Sequence, residues 1–267
     1  MGKGSSKAGG GGGGGAGVAG GGGGGSQVAQ NPIVNQPPTL QNTPVRANAL
    51  TAISQMDDSQ LAALMRQAKT ADLPNQLNDV SDITQKFVFT AGLNEKPAVL
   101  SNSEFKQFMK DNGLTNADVL SRSINGITYK NASGTTVKMT ATDVADMMMY
   151  SRLNYIGGKH GGQAYGAGTY FDHTYGKSTG YGNKTVTAVL NPKTARVVNS
   201  SRLGQLARNF DRSHPQFARQ TGGYNASYSG GKNNMAIYAL AMGYNVIGTG
   251  GGYTNVIDRS ALVYNGG

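Results

Sequence analysis

The sequence predicts an α+β fold in which a β-sheet core is flanked by helices. Short runs of β-branched and aromatic residues alternate with segments that carry apolar residues at helical spacing. The two kinds of segment do not follow the regular strand, helix, strand repeat of a doubly wound sheet. The runs that predict strands are residues 87–89, 119–124, 169–171, 185–190, 196–198, 245–247 and 255–264. The helical patterns begin at Asp57 and Pro215 and cover residues 103–113, 140–154, 202–210 and 233–242.

Capping residues and apolar spacing justify the predicted helices in turn. The first begins at the polar run from Asp57 to Gln60 and continues with apolar residues at helical spacing. Ser103 is the expected N-cap of the second helix, and Gly113 its C-terminal glycine. The third repeats methionine and other apolar side chains on one face, and Pro215 suits the first turn of a later helix.

Glycine and proline divide the chain into three parts. Of the 41 glycines, 16 lie in residues 1–26, and prolines follow among Gln and Asn. Such a composition offers no apolar face to bury, so residues 1–47 are predicted to be a disordered leader. Residues 48–80 are expected to be a helical linker, and residues 81–267 the folded domain.

Composition excludes several functional classes. The chain has no cysteine, and its three histidines, His160, His173 and His214, do not have the spacing of paired zinc ligands. No apolar run approaches the length of a membrane span. We therefore expect no metal and no membrane partner, and a cytoplasmic or virion-associated location.

The net charge of +10 favours a polyanionic partner without identifying it. The Lys and Arg residues are dispersed singly along the sequence rather than gathered in a stripe. This dispersion disfavours nucleic-acid binding as the main function.

The most informative segment extends from Tyr165 to Tyr181. Glycines at 166 and 168 remove side chains where the backbone has to turn or approach a ligand closely. Tyr170 and Tyr181 supply two flat rings, and Ser178 offers a hydroxyl between them. A planar ligand could stack between the rings, although a glycine-rich surface loop with tyrosines packed for stability explains the same residues.

This segment resembles the nicotinamide-binding strand and helix of the poly(ADP-ribose) polymerase type of ADP-ribosyltransferase, which implies a split β-sheet core and NAD as substrate. The resemblance assigns Tyr170 and Tyr181 to the two faces of the nicotinamide and Ser178 to its carboxamide. Gly168 belongs to the same NAD-binding motif. Arg122, with Ser123 beside it, resembles the arginine of the toxin-like branch, which contacts the NAD phosphates or ribose.

One departure from that family concerns its catalytic glutamate, which begins the closing strand. Tyr253 stands at that position here, with Asn255 nearby, and the sequence has no glutamate after Glu104. Asp172, Asp211 and Asp258 are the only acids beyond residue 150, and none falls at the expected position. Losing one electrostatic contributor raises the activation free energy by about 3 kcal/mol, which slows the reaction roughly a hundredfold. Tyr253 and Asn255 are the candidate catalytic residues beside the ribose.

Two functions follow from these observations. The first is an NAD-dependent mono-ADP-ribosyltransferase that modifies a protein or nucleic-acid acceptor, because members without the glutamate transfer one ADP-ribose at most. The second is a catalytically silent protein of the same fold, a structural or virion component of a bacteriophage that contacts other virion proteins. The glycine-rich leader and the cysteine-free composition suit the second function.

Overall fold

A computed structural model of the chain describes residues 43–71, 83–93, 95–124, 128–130, 136–138, 168–173, 184–227, 233–249 and 252–267. All of them belong to one unit, Pro37–Gly267. They contain helices together with a mixed eight-stranded sheet, so the prediction of an α+β class is confirmed.

Seven α-helices and ten strands lie in the described ranges. The helices are α1 Thr43–Ser54, α2 Asp58–Thr70, α3 Ile83–Thr90, α4 Asn102–Asp111, α5 Ser200–Ser213, α6 Pro215–Thr221 and α7 Met235–Ala241. The strands are β1 Ala98–Leu100, β2 Leu120–Ile124, β3 Thr128–Lys130, β4 Thr136–Lys138, β5 Thr169–Asp172, β6 Lys184–Leu190, β7 Val197–Asn199, β8 Val246–Gly248, β9 Tyr253–Val256 and β10 Leu262–Asn265.

Helix caps explain where several elements begin. Asp57 and Gln60 form a capping box at the start of α2, as the polar run there predicts. Helix α4 begins two residues earlier than expected, because Ser101 rather than Ser103 is its N-cap and forms a capping box with Glu104. Pro215 occupies the first turn of α6, as predicted.

Two strand predictions are wrong. Residues 87–89 belong to α3, where Phe87 and Val88 are buried in a core made largely of helices. The run 255–264 is not one strand, because the 3-10 turn Arg259–Ala261 separates β9 from β10.

The Asp58 carboxylate caps α6 by accepting hydrogen bonds from the main-chain N–H groups of Gln216 and Phe217, which fixes α2 against α6.

One boundary expectation differs from the structure, one strand has no counterpart among the predictions, and one predicted helix falls outside the described residues. Helix α1 begins at Thr43, inside the region expected to be a disordered leader. Strand β1 was not predicted, and it pairs in parallel with β10. The predicted helix at 140–154 lies outside the described residues.

The sheet has the strand order β1, β10, β6, β2, β5, β9, β8, β7. Its two four-stranded halves meet where β2 lies beside β5. Strands β2 and β6 are in register from Leu120 to Ile124, whereas β2 and β5 share the single registered pair Ser121 and Asp172. The two halves are therefore joined through a short contact at the centre of the sheet.

Helices cover the two ends of one face of the sheet. Helix α4 packs Phe105 and Phe108 against Val189 of β6 and Val263 of β10. At the other end, a larger cluster surrounds Ile247 and neighbouring side chains with residues from α1, α2, α3, α5, α6 and α7. The middle of this face lies between the two apolar clusters.

Candidate functional site

The three strands that carry most of the predicted site residues within the described ranges are consecutive neighbours in the sheet. Strand β5 carries Tyr170 and lies between β2, which carries Arg122, and β9, which carries Asn255. The register places Tyr170 directly opposite Asn255. The backbones of residues far apart in sequence are thus neighbours at the centre of the sheet, although only Tyr170 and Asn255 share a face.

Polar side chains occupy the middle of the sheet face that carries Tyr170. Successive residues of a strand point to opposite faces, and residues opposite each other in a ladder share a face. The registered pairs therefore place a set of polar residues on one face, which we call the central polar band: Ser121, Ser123, Tyr170, Asp172, Thr185, Thr187, Tyr253 and Asn255. The same face carries Val189 and Ile247 beneath the two helical clusters.

Gly168 and Asn255 form the closely packed part of the band. Asn255 is fully buried, with 0 % of its surface exposed. A Cβ atom at position 168 would lie 2.9 Å from both Asn255 Cγ and the Val256 carbonyl oxygen, and closer still to Asn255 Oδ1. Glycine at 168 therefore permits the amide of Asn255 to sit against the backbone of β5.

Tyr253 is the exposed candidate of the closing strand. Its side chain is 43 % exposed, in contrast to the buried Asn255 two residues later. Of the two predicted catalytic residues, Tyr253 is thus the one that can contact a ligand from solvent. Asn255 supports the strand beneath Tyr170.

Asp172 lies directly across the ladder from Tyr253 and is half-buried. On its other side it is paired with Ser121 of β2. Asp172 is not among the predicted site residues, because it does not stand at the position expected for the family's glutamate. The signal that could have found it is its spacing, since Asp172 follows Tyr170 by two residues and therefore shares its face.

Arg122 joins the two halves of the sheet. The register places its side chain on the face opposite the polar band, with Tyr264 and Phe171. Its Nη1 nonetheless donates to the main-chain carbonyl of Tyr170 over 2.9 Å. Burial lowers the pKa of Arg122 to about 10, so the guanidinium remains charged at neutral pH. This contact ties β2 to β5 and uses part of the guanidinium expected to contact NAD phosphate.

The remaining predicted NAD-binding residues differ in what the structure shows. Ser123 is buried in the polar band, two residues from Ser121. Ser178 and Tyr181 lie outside the described residues, so the predicted pair of stacking rings is represented by Tyr170 alone. His173, which is not one of the predicted NAD-binding residues, lies on the other face, where its Nε2 atom is 2.5 Å from Thr254 Oγ1.

A separate cavity of about 220 Å³ lies between the end of α1 and the loops that precede β7 and follow β9. Its wall includes the buried Asp258, which accepts hydrogen bonds from the main-chain N–H and the hydroxyl of Ser260. Burial raises the pKa of Asp258 above its ordinary value. None of the predicted NAD-binding residues that the structure describes lines this cavity.

Among the residues that the structure describes, no three His, Asp or Glu side chains are grouped as metal ligands would be. No helix in the same ranges has the length and apolar character needed to cross a membrane. Comparison of the chain with protein-family models, curated proteins and solved structures finds no match.

Proposed function

We propose that this chain is an NAD-dependent mono-ADP-ribosyltransferase with a glutamate-less active site, acting on a protein or nucleic-acid acceptor. In this reaction the bond between ribose C1′ and the nicotinamide nitrogen breaks, and nicotinamide leaves with the bonding electrons. A nucleophile of the acceptor then bonds to C1′ and loses its proton. Nicotinamide and the ADP-ribosylated acceptor are the products.

The observation that carries the proposal is the adjacency of β2, β5 and β9. The resemblance is based on motifs around Arg122, Tyr170 and Tyr253, and it requires their strands to border one ligand. The strands are consecutive in the sheet, and Tyr170 and Tyr253 share a face, whereas the side chain of Arg122 lies on the opposite face. Helices cover that face on both sides of the band, so a ligand there would lie between the two groups of helices.

Asp172 supplies the carboxylate that the closing strand lacks. Side chains directly opposite in an antiparallel ladder have Cβ atoms about 4.5–5.5 Å apart. The carboxylate of Asp172 therefore emerges within one side-chain length of the position where the family's glutamate would begin, at Tyr253. From there it can accept a hydrogen bond from a ribose hydroxyl and stabilise positive charge that develops at C1′.

Arg122 is a positioning residue in this proposal. Its charged hydrogen bond to the Tyr170 carbonyl holds β5 beside β2 at the place where the ladder is reduced to one residue pair. The backbone of Tyr170 is thereby held beside β2. By resemblance, Tyr181 supplies the second ring and Ser178 the contact to the carboxamide.

Calorimetric titration of the full chain with NAD, followed by measurement of nicotinamide release, tests the proposal. Tyr170→Ala should weaken NAD binding by about 0.5–1.5 kcal/mol, because a stacked ring is lost. Tyr170→Phe keeps the ring and should bind as the wild type does. The pair separates stacking from the phenolic hydroxyl.

Absence of NAD binding by the folded wild-type chain would overturn the proposal. It would favour the alternative of a catalytically silent structural or virion protein. Equal weakening by Tyr170→Phe and Tyr170→Ala would show that the ring does not stack on nicotinamide.

A further inference from the structure

The exposed face of α5 carries three arginines that are not adjacent in the sequence. Arg202, Arg208 and Arg212 are all exposed, and Gln205 and Asn209 lie exposed between them. At about 100° per residue these five positions fall within an arc of about 120° of the helix. The helical period therefore places these three arginines, which are separated from one another in the sequence, in one stripe along α5.

The opposite face of α5 explains why this stripe faces solvent. Leu203 and Ala207 are fully buried in the large helical cluster, and Leu206 and Phe210 pack against it. Packing of this apolar face fixes the rotation of the helix. The arginines therefore project away from the protein.

The stripe has no carboxylate of its own. The one acid in α5 and α6 is Asp211, which accepts hydrogen bonds from the Tyr238 hydroxyl and the main-chain N–H of Tyr224. Arg212 donates to the neutral side chain of Asn209 over 3.2 Å. The positive charge of the stripe is therefore not neutralised within these helices.

The nearest acids of α2 are used in helix caps. Asp58 caps α6 through main-chain N–H groups, and Asp57 caps α2. Arg219 adds a further exposed cation on α6. The surface formed by Arg202, Arg208 and Arg212, which we call the arginine face, thus carries three positive charges and no carboxylate of its own helix that is free of other hydrogen bonds.

We propose that the arginine face binds the phosphate backbone of nucleic acid without reading base sequence. Arg202 and Arg212 are separated by about 15 Å along the helix, a length that spans about four phosphates of one strand at 3.4 Å each along the duplex axis. Arginine pairs with phosphate through a planar fork of N–H donors, and the amides between the arginines offer further hydrogen bonds. This inference does not depend on NAD binding or on transferase activity.

Fluorescence anisotropy of a labelled DNA duplex of about 20 base pairs, titrated with the full chain over a range of salt concentrations, tests the proposal. The test variant replaces Arg202, Arg208 and Arg212 with Gln. The matched control replaces three other exposed cations, Lys106, Lys110 and Lys138, with Gln. Both variants lose the same net charge, and thermal unfolding of each verifies that it is folded.

Three lost phosphate contacts should reduce the slope of log affinity against log salt by about 2.7, since each contributes about 0.9. Affinity at about 50 mM salt should fall at least tenfold in the arginine variant and much less in the lysine control. The wild-type chain should bind a second duplex of unrelated sequence as tightly as it binds the first.

Three results would overturn the proposal. One is the absence of duplex binding by the wild type at low salt. The second is an equal loss in the arginine and lysine variants, which would assign binding to net charge alone. The third is equally tight binding of a polyglutamate of matched charge with the same dependence on the arginines, which would identify an acidic protein surface as the partner.

Discussion

Asn255 packs its side-chain amide against Gly168, the residue that immediately precedes the neighbouring strand β5. The amide is fully buried, and a Cβ atom at 168 would come within 2.9 Å of Asn255 Cγ. The same asparagine is the registered partner of Tyr170. The pairing of Tyr170 with Asn255 therefore lies next to a contact that requires glycine at 168.

Gly168→Ala is expected to lower the free energy of unfolding by about 1–3 kcal/mol, because the added methyl group overpacks against Asn255 and the Val256 carbonyl. Chemical denaturation measures the change. Gly248→Ala is the control, since a Cβ there meets Val197 at an ordinary 3.8 Å. Equal stability losses in the two variants would contradict this account of Gly168.

Arg122→Lys is expected to lower the free energy of unfolding by about 1.5–3 kcal/mol, since hydrogen bonds from charged groups contribute about that much. Lysine cannot reproduce the planar donor group that reaches the Tyr170 carbonyl. Arg196→Lys is the control, because that arginine is exposed and donates to the main-chain carbonyls of Lys193 and Ala195. If both variants are as stable as the wild type, Arg122 does not hold the two halves of the sheet together.

Asp258 should make stability depend on pH. Burial raises its pKa, so the folded protein retains the proton at a pH where the unfolded chain has released it. The stability that follows is present below the pKa of the unfolded chain, about 3.9, and is lost as pH rises through the folded pKa. As pH rises through that range, the Asp258→Asn variant, whose asparagine cannot ionise, should lose less stability than the wild type.

The control for Asp258 is Glu104→Gln. Hydrogen bonds from Ser101 lower the pKa of Glu104, so its contribution is present above the unfolded pKa and is lost as pH falls. The two variants should therefore change the pH dependence of unfolding in opposite directions. A constant difference between wild type and Asp258→Asn at every pH would contradict the assignment.

The class of the fold and many of its elements could be predicted, because their local patterns agree with the tertiary structure. Strand β6 and helix α2 are examples, with alternation in the first and a capping box in the second. The segment 87–89 could not be assigned this way, since three apolar residues suit either a strand or a buried helix. The segment is helical because Phe87 is buried in a core made largely of helices, and that burial depends on contacts with residues distant in the sequence.

The motif of the candidate site could be predicted from the sequence, but the pairing of residues across its strands could not. The spacing of Tyr170 and Gly168 indicated a close backbone approach, and Gly168 does pack against Asn255. That Asp172 lies opposite Tyr253 depends on which residues pair across β5 and β9. A shift of one residue would move Asp172 to the other face, and no local pattern fixes that shift.

Tyr253→Glu is expected to accelerate nicotinamide release by about tenfold or more, because it adds a second charge beside the developing oxocarbenium ion. The control is Tyr253→Gln, which has a similar length and no charge. Both variants should bind NAD about as tightly as the wild type, and nicotinamide release under saturating NAD gives the comparison. An equal effect of Glu and Gln would show that charge at 253 does not act on the reaction.

The most direct test of the account is nicotinamide release by Asp172→Asn, measured together with NAD affinity. If Asp172 is the carboxylate of the site, release should fall about a hundredfold while the Kd for NAD changes by less than about threefold, since the charge acts mainly in the transition state. Asp111→Asn, an exposed acid on α4, is the charge-matched control and should behave as the wild type. Unchanged release by Asp172→Asn, or a wild-type chain that neither binds NAD nor releases nicotinamide, would contradict the account.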